Sequence, residues 1–281
     1  MTQALSVKTG LTLNFSFYGL KYRQKNQWGE LIKNHRGKIE SLCKTIKESR
    51  SICVFTGAGI SVPSGIPDFR SATGLYATEY GGFRPEEIIS RSFFDKRPEV
   101  FYRFYEEKII FRDAKPNDAH QLFAALEKAG KQVSVVTQNI DGLHEAAGNK
   151  NIVELHGSVH RNYCMECNTF YSLDELLKPG DLPRCPKDGA LIKPDVVLYE
   201  ESLDNEIINE ALKALASAQL LFVVGTSLTV YPAASFVEYF RGKHRVLMNK
   251  SSTHFDGSAD YVFNDDAAKV ARELGQLLNL F

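Results

Sequence analysis

The chain has 281 residues, room for one large domain or a large domain carrying a smaller one at about 100–200 residues per domain. Hydrophobic residues make up 43% and charged residues 24%, an ordinary globular composition. Lys plus Arg is 34 and Asp plus Glu is 34, and a formal net charge of zero argues against a general nucleic-acid or anionic-membrane binder.

Residues 1–36 read as an N-terminal extension, with the single Trp28 and a basic end at Lys33–Arg36. Leu11, Leu13, Phe15 and Phe17 alternate with polar residues, a strand-like period and not a signal peptide. No run of about 18 apolar residues suggests a membrane span, so a cytoplasmic protein is expected. From residue 37 the pattern becomes regular. Ile39, Leu42, Cys43 and Ile46 share one helical face. Ile52–Phe55 is a short apolar run ending in Thr56-Gly57-Ala58-Gly59, as a buried parallel strand followed by a glycine turn would be. The same grammar recurs at 133–136, 220–224, 245–248 and 261–263. Helical patterns lie between, at 118–129, 204–217 and 266–279. Such alternation predicts an α/β fold, a Rossmann-type doubly wound parallel sheet with its ligand at the strands' carboxyl ends.

Two segments interrupt the alternation. Residues 71–115 are rich in aromatics and charge and are expected to form a helical insertion. Residues 160–195 hold three of the five cysteines and several prolines, including Pro179, and are expected to form a small loop-rich module. The large part then comprises about 37–70, 116–159 and 196–281.

Several motifs fall at the predicted strand ends. Gly57-Ala58-Gly59-Ile60-Ser61 could let backbone approach a pyrophosphate, although the third glycine of the usual dinucleotide fingerprint is missing. Asp68-Phe69-Arg70 places an aromatic face beside a guanidinium suited to phosphate. Gln138, Asn139 and Asp141 suit recognition of an amide and a ribose, or cap a turn. His156, followed by Gly157, is a candidate general base or a structural histidine. Cys164-x-x-Cys167 and Cys185-x-x-Asp188 have the spacing of paired zinc knuckles. Carboxylate is an acceptable ligand, but thiolate and imidazole dominate structural zinc sites. A metal-free knuckle held by packing is the alternative.

Taken together, GAGIS (57–61), GIPDFRS (65–71), TQNIDGLHEAAG (137–148), ELHGS (154–158), CMEC (164–167), KPDVVLYEE (193–201), GTSLTVYPAA (225–234) and MNK (248–250) resemble the sirtuin family of NAD-dependent protein deacylases. The resemblance runs from about Lys38 to the C-terminus. It implies a catalytic domain over 37–281, a zinc-ribbon-like module, and a cleft where NAD meets an acyl-lysine peptide. By resemblance, nicotinamide leaves as the acyl oxygen attacks the ribose. His156 then acts as base on a ribose hydroxyl, with Asn139 and Asp141 as its catalytic neighbours. The products are the free lysine, nicotinamide and O-acyl-ADP-ribose. Gly57, Ala58, Gly59, Asp68, Phe69, Arg70, Gln138, Gly225, Thr226, Ser227, Asn249, Lys250 and Ala267 would complete the NAD site. Phe69, Val196, Val197, Tyr199 and Glu200 would bind an acetylated protein substrate as an extended peptide. Cys164, Cys167, Cys185 and Asp188 would hold structural zinc.

Two departures stand out. Asp188 replaces the usual fourth cysteine. Tyr199-Glu200-Glu201 stands where the family often has Phe-Gly-Glu, adding negative charge at the cleft mouth. No Arg follows Tyr76 or Tyr80 at the spacing of family members that favour acidic acyl groups, so a neutral acyl group such as acetyl is expected. An ADP-ribosyltransferase or NAD hydrolase using the same site is the alternative activity.

Overall fold

The computed structural model describes residues 34–178 and 182–281. The strand-like alternation near residue 13, Trp28 and the Pro179-Gly180 pair lie outside the described residues. The chain divides into two compact units, Met1–Leu42 and Cys43–Phe281. Residues 34–48 are helical, and the four residues expected on one apolar face (Ile39, Leu42, Cys43 and Ile46) are all buried.

The second unit is built on a six-stranded sheet. Its strands are β1 (Ser51–Thr56), β2 (Gln132–Thr137), β3 (Ile152–Glu154), β7 (Leu220–Val224), β8 (His244–Met248) and β9 (Tyr261–Phe263). They lie in the order β3-β2-β1-β7-β8-β9 and every pairing is parallel. The central strands are continuous apolar runs because both of their faces are covered. On one face Cys53, Phe55, Leu221 and Val223 pack with Ala211 and Leu215 of helix Asn205–Ser217 and with Phe236 and Val237 of the 3-10 segment Ala233–Tyr239. On the other, Phe222 meets Phe123 of helix Asp118–Lys128, its ring centroid 5.3 Å away, and helix Ala267–Leu278 packs beside that helix. Asn117, Asp204 and Asp266 each cap a helix start by accepting backbone N–H bonds. Such caps contribute about 1 kcal/mol each.

The sheet is doubly wound. The chain builds outward from β1 through β2 to β3, then returns to β7 beside β1 and builds to β9. The switch point therefore lies between the carboxyl ends of β1 and β7. There Gly57 N–H donates to Val224 O at 3.1 Å and Gly59 N–H to Gly225 O at 2.8 Å. Gly225 has φ +61, and a Cβ on it would lie 2.1 Å from Ile60 N.

A three-stranded antiparallel sheet, β5-β4-β6, forms from β4 (Gly157–Cys164), β5 (Phe170–Ser172) and β6 (Ile192–Val196). Residues 160–195 thus carry more strand than their loop-rich sequence implies. Pro194 is admitted because β6 is an edge strand and the β4–β6 register shifts between Ser158 and Asn162. The insertion is helical as expected, with helices at Pro85–Ile88, Arg91–Lys96 and Pro98–Phe104 and a π-helical turn at Tyr105–Ile109. Its Phe94, Phe101, Phe104 and Tyr105 share an apolar core with Val159, Cys164, Ile192 and Val196 of the small sheet.

Two buried histidines support the sheet's carboxyl edge. His144 Nε2 lies 3.2 Å from Thr56 Oγ1, which donates to Thr137 Oγ1 at 2.8 Å. The His144 ring meets His120 edge-on at 4.8 Å, and His120 Nδ1 accepts the Asn117 N–H. Burial pushes His120 down to about 3 and His144 down to about 4.

Two outcomes are expected. Gly225→Ala destabilises the fold by about 2–4 kcal/mol in denaturant titrations, since strain and a backbone clash act together. Both histidines are neutral when folded but take up protons near pH 6.5 when unfolded, so their contribution is intact above that pH and is lost on acidification. Stability measured by urea unfolding falls from about pH 6 to pH 4, and in His144→Gln the slope is shallower by about one proton.

Candidate functional site

A cavity of about 340 Å³ opens at the carboxyl edge of the large sheet. Ala58 and Ser61 line it from the turn after β1, and Gln138, Asn139 and Asp141 from the turn after β2. Phe69 and Arg70 enter from the following loop, His156 from the β3–β4 turn, and Val196, Val197, Tyr199 and Glu200 from β6 and its extension. An apolar floor comes from Ile66, Leu75, Phe101, Tyr105, Ile109 and Ile140.

His156 owes its position to Gly157. That residue has φ +76, and a Cβ there would sit 1.8 Å from Asp195 O, so only glycine lets β4 turn onto β6. The turn is closed by Val197 N–H donating to His156 O at 3.0 Å. His156 Nδ1 lies 2.9 Å from Gln138 O. A carbonyl only accepts, so Nδ1 carries the proton and Nε2 keeps its lone pair. Burial lowers the His156 pKa, and the Gln138 bond opposes this in part. The ring is therefore a neutral base at neutral pH. Around it, Arg161 donates to Glu154 Oε2 at 2.6 Å and to Asp195 Oδ2 at 2.8 Å, tying the end of β3 to β4 and β6.

Asn139 and Asp141 meet through Ser61. Asn139 Nδ2 donates to Ser61 Oγ at 3.0 Å, and Ser61 Oγ donates to Asp141 Oδ2 at 2.7 Å. Asp141 Oδ1 accepts Leu143 N–H at 2.9 Å. Burial raises the Asp141 pKa, while these hydrogen bonds hold it back. Ser61 is fully buried and central to this chain of bonds. It was legible only as one letter of the glycine motif. Gln138 Nε2 donates to Thr226 Oγ1 at 3.1 Å, joining the ends of β2 and β7.

The remaining cofactor candidates spread along the same edge. Gly57, Gly59, Gly225 and Thr226 form the crossing at the switch point, and Ser227 follows it, its Oγ 2.7 Å from Thr229 Oγ1. Asp68 does not line the cavity. Its Oδ1 accepts the Arg70 and Ser71 N–H groups at 3.0 and 2.7 Å, shaping the Phe69–Arg70 loop. Asn249, Lys250 and Ala267 sit farther along, after β8 and at the start of the last helix, away from the cavity lining. Asn249 Nδ2 donates to Ser251 O at 2.7 Å, and Lys250 pairs with Asp266 at 3.0 Å.

The extra charge at the cleft mouth is locally engaged. Glu200 has φ +75, and its carboxylate accepts Ser92 N–H at 2.8 Å and Ser92 Oγ–H at 3.0 Å. Glu201 accepts from Arg91, Lys193 and the Leu198 N–H.

Cys164, Cys167, Cys185 and Asp188 converge, with their ligand atoms all within 4.8 Å of one another. Cys167 Sγ and Cys185 Sγ are 3.6 Å apart, near the edge of roughly 3.8 Å that a tetrahedral Zn–S site requires. The two halves of the site match. Asn168 N–H donates to Cys164 O and Gly189 N–H to Cys185 O, and both closing residues have positive φ. Asp188 occupies in its turn the place Cys167 holds in the other. Three sulfurs and one carboxylate oxygen therefore fit a zinc ion.

Among the described residues, no helix is long and apolar enough to cross a membrane. The Sir2 family model matches residues 57–232. The chain is 52% identical over 244 residues to an "NAD-dependent protein deacetylase" of Clostridium perfringens (strain 13 / Type A), covering 86% of this chain and 99% of that protein. A protein of the same name from Cutibacterium acnes (strain DSM 16379 / KPA171202) is 46% identical over 232 residues, covering 82% of this chain and 95% of its own. A solved structure described as "Sir2-p53 peptide-NAD+" superposes with a TM-score of 0.76 at 37% identity, covering 86% of this chain and 99% of that one. Another, "Sir2 bound to acetylated peptide", gives 0.77 at 37% identity, with the same two coverages. On these matches and on the parallel sheet with its zinc-fitting module, the chain belongs to the Sir2 family.

Proposed function

We propose that this protein is an NAD-dependent protein-lysine deacetylase that consumes NAD and one water and yields nicotinamide, the free lysine and O-acetyl-ADP-ribose. The observation that carries this reading is His156: a neutral imidazole, its Nδ1–H held by Gln138 O, in one cavity with Asn139, Asp141, Phe69 and Arg70. NAD, when bound, supplies the ribose carbon and hydroxyl that receive the acyl group.

The chain's residues divide the work. His156 Nε2 takes the proton from the ribose hydroxyl. Because Nδ1–H stays on a carbonyl, the imidazolium that forms keeps its orientation and can return the proton. Asn139 and Asp141, braced by Ser61, hold the nicotinamide and ribose end. Phe69 covers the reactive sugar face against water. Arg70, Ala58, Thr226 and Ser227, with the crossing formed by Gly57, Gly59 and Gly225, receive the diphosphate and neighbouring ribose. Asp68 shapes the loop, and Gln138, in the turn after β2, sits near a ribose. Asn249, Lys250 and Ala267 take the adenosine half. The acetylated substrate adds as a strand beside Val196–Glu200, with the acyl-lysine passing Val196 and Tyr199 toward Phe69. Curated relatives carrying this name, and a structure described as "Sir2 bound to acetylated peptide", support the substrate class. Cys164, Cys167, Cys185 and Asp188 would hold zinc in a structural role, far from any step of the reaction.

We read residues 37–281 as the catalytic domain and 1–36 as an extension. The large part spans about 37–70, 116–159 and 196–281. The small part comprises the insertion at 71–115 and the metal module at 160–195. A cytoplasmic location and no nucleic-acid partner complete the reading. The balanced charge and the lack of a long apolar helix among the described residues support it.

The direct test mixes protein and NAD with and without an acetyl-lysine peptide and follows both products by mass spectrometry. Nicotinamide release should require peptide and match deacetylated peptide mole for mole, and His156→Ala should lose at least about 100-fold in deacetylation. Release without peptide would instead favour the hydrolase or ADP-ribosyltransferase alternative. The lowered His156 pKa sets the acid limb: kcat/KM for deacetylation stays level down to about pH 6.5 and falls only below it.

Acyl preference has its own readout. Of the cations lining the cavity, Arg70 is tied to Tyr199 and Lys108 is exposed. Acetyl-lysine peptide should be turned over much faster than succinyl-lysine peptide, and equal rates would refute a neutral-acyl site. For the metal, purified protein should carry about one zinc per chain, and Asp188→Ala should surrender it to a chelator roughly tenfold faster.

A further inference from the structure

Tyr199 does more than line the cavity. Its main chain is pinned on both sides: Tyr199 N–H donates to Ile89 O at 3.0 Å, and Tyr199 O accepts Arg91 N–H at 2.9 Å. The side chain reaches across the cavity mouth. Its hydroxyl lies 3.0 Å from Tyr76 Oη and accepts from Arg70 Nη2 at 3.4 Å. Both partners belong to the loop 68–77.

That loop is braced internally. Leu75 N–H donates to Asp68 O at 2.7 Å and Tyr76 N–H to Phe69 O at 2.9 Å. The Arg70 guanidinium lies 5.6 Å above the Tyr76 ring, and the Phe69 ring is 5.5 Å from the same ring. Gly74 packs so closely on Asp68 that a Cβ would lie 2.7 Å from its carboxylate. Among the described residues, the side-chain hydrogen bonds that tie this loop to a distant segment both end on Tyr199 Oη. A unit this well braced takes its orientation from its tether. Leu75 packs the loop against the apolar core of the insertion, and one phenol oxygen is the polar anchor of the segment that carries Phe69 and Arg70 into the cavity. The family pattern at this position is often Phe, which has the ring and not the oxygen.

We infer that Tyr199 is a positioning residue: its hydroxyl, through Tyr76 and Arg70, holds the 68–77 loop in the orientation that receives the dinucleotide. This rests on the proposed function, since it presumes that Arg70 and Phe69 meet NAD. One hydrogen bond of this kind is worth a factor of about 3–10 in binding.

The test uses the full-length protein with ADP-ribose as probe, titrated by calorimetry, alongside steady-state kinetics with NAD and an acetyl-lysine peptide. Tyr199→Phe and Tyr76→Phe should each weaken ADP-ribose binding by about 3–10-fold, and the double variant should be no weaker than Tyr199→Phe alone. In Tyr76→Phe the KM for NAD should rise by the same factor, while kcat and the peptide KM change by less than about twofold. An unchanged affinity for ADP-ribose, two single losses that multiply in the double variant, or a rise confined to the peptide KM would each overturn the inference. Wild-type protein that binds ADP-ribose but leaves the acetyl peptide untouched would sink the deacetylase reading and leave this comparison able to decide.

Discussion

The hydrogen bond from His156 Nδ1 to the Gln138 carbonyl joins the two halves of the site. Gln138 follows β2 of the large sheet, while His156 begins the turn that leads to β4 and the small sheet. The bond selects a tautomer, and the tautomer makes Nε2 a base. It depends in turn on Gly157, because a side chain there would strike Asp195 O and push β6 away from the turn. An imidazole with a free Nε2 lone pair is thus fixed by backbone geometry before any polar neighbour is counted. Partial burial keeps the imidazole neutral, and the charged network of Glu154, Arg161 and Asp195 secures the strands on either side.

A second backbone constraint acts at the switch point. The β1 and β7 turns approach so closely that Gly59 and Gly225 touch main chain to main chain. The short 3-10 turns at Ala58–Ile60 and Val62–Ser64 then carry Ser61 inward to meet Asn139 and Asp141. Neutral composition is consistent with such a site. Amides, hydroxyls and carboxylates line the space with two basic side chains, Arg70 and Lys108, and no broad basic field.

Much of this was legible in the sequence, for identifiable reasons. Both central strands are unbroken apolar runs, and each ends in small polar residues, so the parallel sheet and its functional edge could be read directly. The helices at 118–129, 204–217 and 266–279 followed from their apolar spacing, whereas the caps at Asn117, Asp204 and Asp266 are seen in the structure. The small antiparallel sheet was less visible. Its strands are interrupted by Pro194, by a register shift and by the cysteine turns, which mask a period of two. Four-point convergence of the cysteines and Asp188 followed from spacing, but the equivalence of the two turns needed coordinates. Contacts between distant segments were the least legible. Nothing local in Ser61, Tyr76, Ser92 or Tyr199 announces its partner, because those bonds depend on how separate loops meet.

The central claim is that His156 is a neutral base whose proton sits on Nδ1. Nitrogen-15 NMR of histidine-labelled protein measures this directly, with the His156 signal assigned by its loss in His156→Ala. The account predicts a protonated Nδ1 and an unprotonated Nε2 at pH 7, with a titration midpoint below about 6.5. A proton on Nε2 at pH 7, or a midpoint above 7, would contradict it.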